Sequence, residues 1–223
     1  MKIFIYRANL TEIENALKRG FISGVTTNPS LLAKEPKSGF EKHIKKIVAL
    51  LNKYGGNKSL SVEVFSRDAK EIIEQAKHFK KIFKYKNLSI KVQIGWNELE
   101  AISKLSKAGI SVNCTACMNV TQALLAANAG AKYVSLFWCR IRDGAIDNPQ
   151  DVVSMTRKLL NEGKSKAEII VGSIRGVDDI RDAFNAGGHI VTVPPKFFLS
   201  MVEHFKTTEA VEQFFKDFSA WQK

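Results

Sequence analysis

Leu88-Ser89-Ile90-Lys91-Val92-Gln93 is the stretch around which the chain can be interpreted. It predicts a β-strand, because apolar and β-branched residues flank a single lysine. A parallel strand that is covered on both faces is almost entirely apolar, so a lysine inside it indicates an unusual environment. If the lysine points into a barrel, its ammonium loses water and its pKa falls below the usual value of about 10.4. Such a lysine can form a Schiff base with a carbonyl, whereas a lysine at a strand end would simply reach solvent.

On either side of this strand, short β-like runs alternate with helical patterns along the 223 residues. Strands are predicted near 2–6, 24–26, 60–64, 88–93, 110–114, 133–136, 169–172 and 190–193, and an added amphipathic helix over about 208–219. Eight strand–helix units with short connections predict one (β/α)₈ TIM barrel domain over residues 1–223. A doubly wound open sheet is the alternative, but a glycine-rich phosphate-binding turn does not follow the first strand.

Two local patterns predict where helices begin. Thr11 and Glu14 have the spacing of a capping box at the first helix. Asn148 followed by Pro149 predicts a helix with asparagine as its cap and proline in its first turn.

The net charge of +12 comes mainly from lysines that are spread over the helical segments. Because the sequence has no basic tail and no arginine-rich run, we expect a solvated lysine-rich surface rather than a nucleic-acid or membrane partner. Steering of phosphorylated ligands would be a secondary effect. The N-terminus does not resemble a signal peptide, no apolar run has the length of a membrane span, and the three cysteines are odd in number. These features predict reduced thiols and a cytoplasmic location.

Cysteine and histidine residues give weak signals for redox or metal chemistry. Cys114-Thr115-Ala116-Cys117 has the spacing of a redox motif, but it lies at a predicted strand end rather than at the start of a helix. The four histidines are scattered over predicted helices and one strand start. We therefore expect no metal and no organic cofactor.

Polar residues cluster where the predicted strands end, which is where barrels of this kind build their active sites. For the serines and threonines among them, capping a helix or a turn is a strong alternative. Glu63 shares one face of its strand with Ser61, and a glutamate beside a lysine is either a proton shuttle or a structural ion pair. The residues at these ends are Tyr6, Thr26, Asn28, Glu63, Lys91, Asn113, Thr115, Ser135, Ser173 and Arg175.

The segment Gly24-Val25-Thr26-Thr27-Asn28-Pro29-Ser30-Leu31 resembles the signature of the transaldolase and fructose-6-phosphate aldolase family, in its small-subunit branch. The resemblance covers nearly the whole chain, and its motifs recur in the family's order. They include Ser61–Val64, Ile90–Val92, Gly109-Ile110 with Asn113 and Thr115, Gln122–Ala127, Gly130–Ser135, Ser173, Arg175 and Val191–Pro194.

The resemblance implies a role for each of the site residues. Lys91 matches the Schiff-base lysine, and Glu63 with Thr115 matches the pair that holds a catalytic water. Phe137 stands where transaldolases have phenylalanine and the aldolase branch has tyrosine, which favours a transaldolase. Asn28, Asn113 and Ser135 match residues that hold the ketose skeleton and its hydroxyls, and Arg140, Ser173 and Arg175 match the phosphate site. We also count Thr26 and Phe137 among the predicted substrate-binding residues.

The chain departs from the family pattern around the site. Tyr6 replaces the aspartate that normally ends the first strand and takes the proton of the substrate hydroxyl. Two compensations are conceivable: Glu63 acts through its water, or Lys91 and Arg7 lower the pKa of Tyr6. Other departures are Gln93, Leu136, Ala116–Met118 and Cys139–Arg142.

These observations predict a class I aldolase of the transaldolase type, which moves a dihydroxyacetone unit between sugar phosphates in the carbohydrate metabolism of the pentose phosphate pathway. The alternatives are a fructose-6-phosphate aldolase-like or divergent enzyme with impaired or altered carbon–carbon cleavage, and a non-catalytic sugar-phosphate-binding barrel.

The final helix predicts self-association. Val211, Phe214, Phe215 and Phe218 lie on one side of it, after the eighth barrel unit is complete. This face needs a partner, which is either a neighbouring copy or the chain's own barrel. The resemblance implies pentameric rings, often paired into decamers.

Overall fold

A computed structural model describes residues 1–37 and 39–222. Eight parallel strands form a closed barrel in which each strand pairs with the next and the last pairs with the first. The predicted (β/α)₈ barrel is therefore confirmed. The strands are β1 (Lys2–Tyr6), β2 (Ile22–Thr26), β3 (Ser59–Glu63), β4 (Leu88–Gln93), β5 (Val112–Cys117), β6 (Tyr133–Phe137), β7 (Glu168–Gly172) and β8 (Ile190–Val193).

Eleven helices accompany these strands within the described residues. They are α1 (Leu10–Lys18), α2 (Pro29–Leu32), α3 (Phe40–Lys53), α4 (Ala69–Phe83), α5 (Trp96–Lys107), α6 (Val120–Asn128), α7 (Trp138–Gly144), α8 (Pro149–Glu162), α9 (Val177–Asn185), α10 (Lys196–Ser200) and α11 (Phe205–Trp221). The sequence pattern did not indicate α2 and α7, because four and seven residues are too few to show a helical period. None of the helices in the described ranges is long and apolar enough to cross a membrane.

Side chains alternate between two environments along each strand. Ile90 and Val92, on either side of Lys91, belong to the apolar layer between the barrel and its helices. Lys91 itself stands opposite Glu63 on β3 and Asn113 on β5. The polar residues of neighbouring strands therefore meet at one level of the barrel.

A small apolar cluster lies inside the barrel, between the cavities at its two ends. It consists of Phe4, Tyr133, Ile170 and Ile190, and we call it the barrel plug. The rings of Phe4 and Tyr133 meet edge to face, with their centroids 6.4 Å apart. Gly24 makes room for it, because a Cβ at this position would lie 2.8 Å from the Phe4 ring. Beyond the plug, a polar cavity at the N-terminal strand ends shares no lining residue with the cavity at the C-terminal ends.

The helix starts agree with one of the two predicted caps. Asn148 accepts a hydrogen bond from the backbone at Gln150, with Pro149 in the first turn, as predicted. The capping box at Thr11 is wrong, because Asn9 caps α1 and accepts a hydrogen bond from the Glu12 N–H. The helix thus begins before Thr11, and the Glu14 carboxylate instead accepts a hydrogen bond from Lys53 at 2.8 Å.

Helix α11 lies apart from the barrel core. Every residue of Phe205–Trp221 is exposed, and none of them is buried by another part of the described chain. The predicted apolar face is present, with Phe214, Phe215 and Phe218 exposed by 68%, 70% and 54%. In the structure, this face therefore does not pack on the chain's own barrel.

Candidate active site

A cavity of about 260 Å³ lies at the C-terminal ends of the strands. It brings together all but one of the site residues predicted from the sequence, and the remaining one, Glu63, contacts Lys91. The predicted residues that line it are Tyr6, Thr26, Asn28, Lys91, Asn113, Thr115, Ser135, Phe137, Arg140, Ser173 and Arg175.

Lys91 is the buried cation of this cavity, with only 6% of its surface exposed. Its Nζ donates hydrogen bonds to Glu63 Oε2 at 2.9 Å and to the Thr27 carbonyl at 3.1 Å. A buried ammonium needs such a partner, since an unpaired charge in the interior is very costly. Glu63 therefore holds the lysine inside the barrel and lies within proton-transfer distance of its nitrogen.

Thr115 has a buried hydroxyl that is not satisfied within the described residues. Its Oγ1 has no hydrogen-bond partner there, although the residue lines the cavity. The register of β5 shifts between Cys114 and Cys117, and Ala116 has a φ of +61°. Irregularities of this kind re-aim side chains next to active sites. An unsatisfied buried hydroxyl costs about 1–3 kcal/mol, so the position is suited to a water or a ligand group.

A hydrogen-bonded chain crosses the barrel beside Lys91. Ser135 Oγ donates to Asn113 Oδ1 at 2.7 Å, and Asn113 Nδ2 donates to Ser61 Oγ at 3.1 Å. All three side chains are buried, so the network fixes the orientation of the Asn113 amide. Sequence reasoning placed Ser61 on the face of Glu63 but did not include it in the site.

Thr192 is a site residue that sequence reasoning missed. It lines the cavity, and its Oγ1 shares a hydrogen bond of 2.5 Å with Thr26 Oγ1 across β8 and β2. The sequence does contain a signal for this residue, because Thr192 is the only polar residue in the otherwise apolar strand Ile190–Val193. This is the same pattern that singled out Lys91.

Tyr6 occupies the end of β1 within the cavity. Its phenol oxygen accepts a hydrogen bond of 2.5 Å from Asn28 Nδ2. Burial raises the pKa of Tyr6, and this effect outweighs the hydrogen bond from Asn28, which lowers it. A lowering of its pKa by Lys91 and Arg7, considered from the sequence, is therefore wrong. Arg7 pairs with Glu12, and Lys91 pairs with Glu63.

The three predicted phosphate ligands line the cavity and follow two neighbouring strands, β6 and β7. The exposed guanidinium of Arg140 lies 5.9 Å from the centre of the Phe137 ring. Ser173 has a left-handed backbone, with φ of +59°, and its carbonyl accepts the Cys139 N–H. Arg175 is already occupied, since its guanidinium pairs with Asp143. An exposed arginine, a hydroxyl and a second arginine can together bind a phosphate dianion.

Behind this side of the cavity, Asp179 connects α7, α9 and the end of β7. It accepts hydrogen bonds from the Arg175 N–H at 2.9 Å, from Arg142 at 3.0 Å and from the Cys139 thiol at 3.2 Å. Burial alone would raise the pKa of Asp179, but these hydrogen bonds outweigh it and the pKa is lowered. Burial raises the pKa of the Cys139 thiol to about 11. Within the departure at Cys139–Arg142, Cys139 and Arg142 therefore form a structural cluster with Asp179 behind the site, whereas Arg140 lines the cavity.

The other two thiols lie on β5, close to each other. Cys114 and Cys117 are buried with their sulfur atoms 3.9 Å apart, and the hydrogen bond between them, together with burial, raises the pKa of Cys114. Buried thiols of high pKa are poor nucleophiles. Among residues 1–37 and 39–222, no group of three or more His, Cys, Asp or Glu side chains is arranged to hold a metal ion.

Solved structures with a similar backbone support the fold alone. A flavocytochrome b2 double mutant with sulfite bound matches with a TM-score of 0.62 over 88% of this chain, at 13% identity. The chain spans 57% of the length of that protein. Structural similarity at such low sequence identity does not indicate a shared activity.

Sequence relatives carry more information. The family described as Transaldolase/Fructose-6-phosphate aldolase matches residues 3–223. A probable transaldolase of Clostridium botulinum (strain Loch Maree / Type A3) is 39% identical over 98% of this chain and 96% of its own length. A probable transaldolase of Caldicellulosiruptor saccharolyticus is 40% identical over 100% of this chain and 98% of its own length. The chain therefore belongs to the transaldolase/fructose-6-phosphate aldolase family.

Proposed function

We propose that this protein is a transaldolase that moves a dihydroxyacetone unit between sugar phosphates through a Schiff base on Lys91. The observation that carries the proposal is the buried Lys91 ammonium, which lines the cavity and is held 2.9 Å from the Glu63 carboxylate. Glu63 is positioned to accept the proton that must leave the lysine before it can attack a carbonyl.

Schiff-base formation replaces the ketose carbonyl oxygen with the lysine nitrogen. The neutral Nζ of Lys91 bonds to the carbonyl carbon, and the two amine protons leave with the oxygen as water. One further proton gives the iminium. Thr115 Oγ1, which has no partner within the described residues, can bind the water that carries protons to and from Glu63.

Cleavage then breaks the bond between the third and fourth carbons of the ketose. The electron pair of this bond moves into the iminium to give an enamine, the proton of the fourth-carbon hydroxyl goes to a base, and an aldehyde leaves. The enamine carbon bonds to the carbonyl carbon of an acceptor aldehyde, whose oxygen takes up the proton. Hydrolysis releases the new ketose. In an aldolase, a proton replaces the acceptor aldehyde.

The second candidate is a divergent enzyme that forms the Schiff base but cleaves slowly. It is favoured by Tyr6, because burial raises the pKa of this phenol and makes it a poor base at neutral pH. Asn28 also holds the phenol through a hydrogen bond of 2.5 Å.

Turnover of fructose 6-phosphate with erythrose 4-phosphate distinguishes the two candidates. We expect release of glyceraldehyde 3-phosphate, which a coupled dehydrogenase assay would detect. A Schiff-base adduct with little turnover would instead support the divergent enzyme. Binding of these sugar phosphates without a borohydride-trappable adduct would indicate a non-catalytic barrel and contradict the proposal.

The phosphate ligands make a separate prediction. Loss of a hydrogen bond to a charged ligand costs about 1.5–3 kcal/mol, so Arg140→Ala should raise KM for phosphorylated substrates by about tenfold or more. Arg175→Ala should have a smaller effect, because this arginine must first leave Asp143. KM for unphosphorylated fructose should hardly change. Arg181→Ala is the matched control, as it removes an ion-paired arginine that does not line the cavity. Equal losses for both kinds of substrate would count against the assignment.

We also propose that the chain associates with itself through α11. The exposed apolar face of this helix has no cover within the described chain. Each copy also exposes an apolar groove of about 720 Å³, lined in part by Phe21, Phe198 and Leu199. A helix of one copy lying in the groove of a second copy would bury both apolar surfaces, and exposed contiguous apolar surfaces mark interaction sites.

Light scattering at micromolar concentration should give a mass several times 24.9 kDa. Phe214→Glu with Phe218→Glu should lower the mass towards one chain, because two charges would have to enter an apolar interface. Gln213→Glu adds a charge to the same helix outside the phenylalanine face and serves as the control. A monomeric wild type would end this proposal.

A further inference from the structure

Arg175, one of the two arginines that line the cavity, is bound to a carboxylate of the same chain. Its Nη1 donates to Asp143 Oδ1 at 3.0 Å, and its Nη2 donates to Asp143 Oδ2 at 2.5 Å. These hydrogen bonds lower the pKa of Asp143. A guanidinium presents the same pair of N–H groups to a carboxylate and to a phosphate. Asp143 therefore occupies the atoms that a phosphate would use.

The backbone of Arg175 is fixed while its side chain is accessible. The Arg175 N–H donates to the buried Asp179, which Arg142 and the Cys139 thiol hold in place. In contrast, the side chains of Arg175 and Asp143 are 53% and 49% exposed. The guanidinium can therefore turn from one partner to another without a change in the backbone.

The other cavity-lining arginine has no such competitor. Arg140 makes no ion pair with a described residue, and its guanidinium faces the Phe137 ring instead. Arg142, two residues further along α7, is bound to Asp179 and does not line the cavity. Of the two cavity-lining guanidinium groups, that of Arg175 is the one with a carboxylate partner within residues 1–37 and 39–222.

We propose that Asp143 is a specificity-determining residue that competes with the substrate phosphate for Arg175. This inference rests on the proposed function, because it assigns the cavity a phosphorylated ligand. Binding of a phosphate requires Arg175 to exchange one anion for another. Exposed ion pairs are weak, so the exchange is accessible, yet it lowers affinity for phosphorylated ligands and leaves unphosphorylated ones unaffected. The cavity therefore favours phosphorylated over unphosphorylated ligands less strongly than two free arginines would.

Calorimetric titration with inorganic phosphate tests this competition without any turnover. Asp143→Asn should tighten phosphate binding by about twofold to fivefold, because it releases Arg175 from its exposed ion pair. Asp182→Asn is the matched control: Asp182 is 40% exposed and bonds to Arg181 at 2.9 Å, but neither residue lines the cavity. This control should leave phosphate binding unchanged.

The Arg175→Ala background separates competition for the arginine from a general effect of charge. If Asp143 acts through Arg175, Asp143→Asn should have no effect on phosphate affinity in that background. With active enzyme, Asp143→Asn should lower KM for fructose 6-phosphate, with kcat and the KM for fructose nearly unchanged. If Asp143 had a purely structural role, the substitution would change KM for fructose 6-phosphate and KM for fructose together.

Three results would overturn the inference. The Asp143→Asn variant could bind phosphate no more tightly than wild type, or its phosphate affinity could rise equally in the Arg175→Ala background. Neither wild type nor Asp143→Asn binding phosphate at all would be the third. The adduct on Lys91 is measured independently. A missing adduct would therefore refute the proposed function, while the phosphate titration would still decide the role of Asp143.

Discussion

Borohydride reduction in the presence of fructose 6-phosphate is expected to attach the donor's three-carbon skeleton to Lys91 and to no other lysine. Lys91 is the lysine that is buried in the cavity and held beside a glutamate. Lys91→Ala should abolish the adduct and lower transaldolase turnover by about 10⁴-fold or more, as removal of a covalent nucleophile does in other enzymes. Peptide mass spectrometry would locate the adduct.

Lys53→Ala is the matched control for this experiment. Lys53 also pairs with a glutamate, Glu14 at 2.8 Å, but its side chain is 62% exposed and lies outside the cavity. Its loss should change neither the adduct nor the rate. An adduct on another lysine, or none with any ketose phosphate, would refute the assignment of Lys91.

Tyr6→Asp is expected to increase turnover of fructose 6-phosphate by at least about tenfold. An aspartate is ionised at pH 7 and can accept the hydroxyl proton during cleavage, whereas the phenol has a pKa that burial raises further. A positioned general base contributes typically about 10²–10⁴-fold in rate. The gain in turnover should lie near or below the lower end of this range. Glu63, whose coulombic interaction raises the pKa of Tyr6, would also disfavour the ionised form of a second carboxylate.

Two further variants at this position control for size and for hydrogen bonding. Tyr6→Asn has nearly the shape of aspartate without its basicity, so it should not reproduce the gain. Tyr6→Phe should change turnover little, and loss of the bond to Asn28 should cost about 1 kcal/mol in stability. Full transaldolase activity in the wild type, destroyed by Tyr6→Phe, would show that the phenol itself has become the base.

Much of the barrel could be predicted from local sequence. The strands Lys2–Tyr6, Leu88–Gln93 and Ile190–Val193 have the bounds that their apolar patterns indicated. The fifth strand did not, since it runs on to Cys117 through a left-handed residue at Ala116 that an extended pattern does not reveal. The start of α1 was also misplaced, because Asn9 and Thr11 are both plausible caps and only the geometry selects Asn9.

The site was predictable as a set of residues but not as a set of contacts. A barrel brings strand ends to one rim, so residues such as Lys91 and Arg175 could be grouped without coordinates. The bond between Thr26 and Thr192 joins residues 166 positions apart and depends on closure of the sheet. The pairing of Arg175 with Asp143 depends on the course of the short helix α7, which periodicity did not indicate.

The barrel plug has a consequence for the order of events in the proposed reaction. Because it separates the two ends of the barrel, donor, acceptor and both products must use the same mouth. A cavity of about 260 Å³ offers little room for a departing aldehyde and an arriving one together. The first aldehyde should therefore diffuse away while the enamine waits on Lys91. Steady-state kinetics should then be ping-pong, with parallel double-reciprocal lines when the donor is varied at fixed acceptor concentrations.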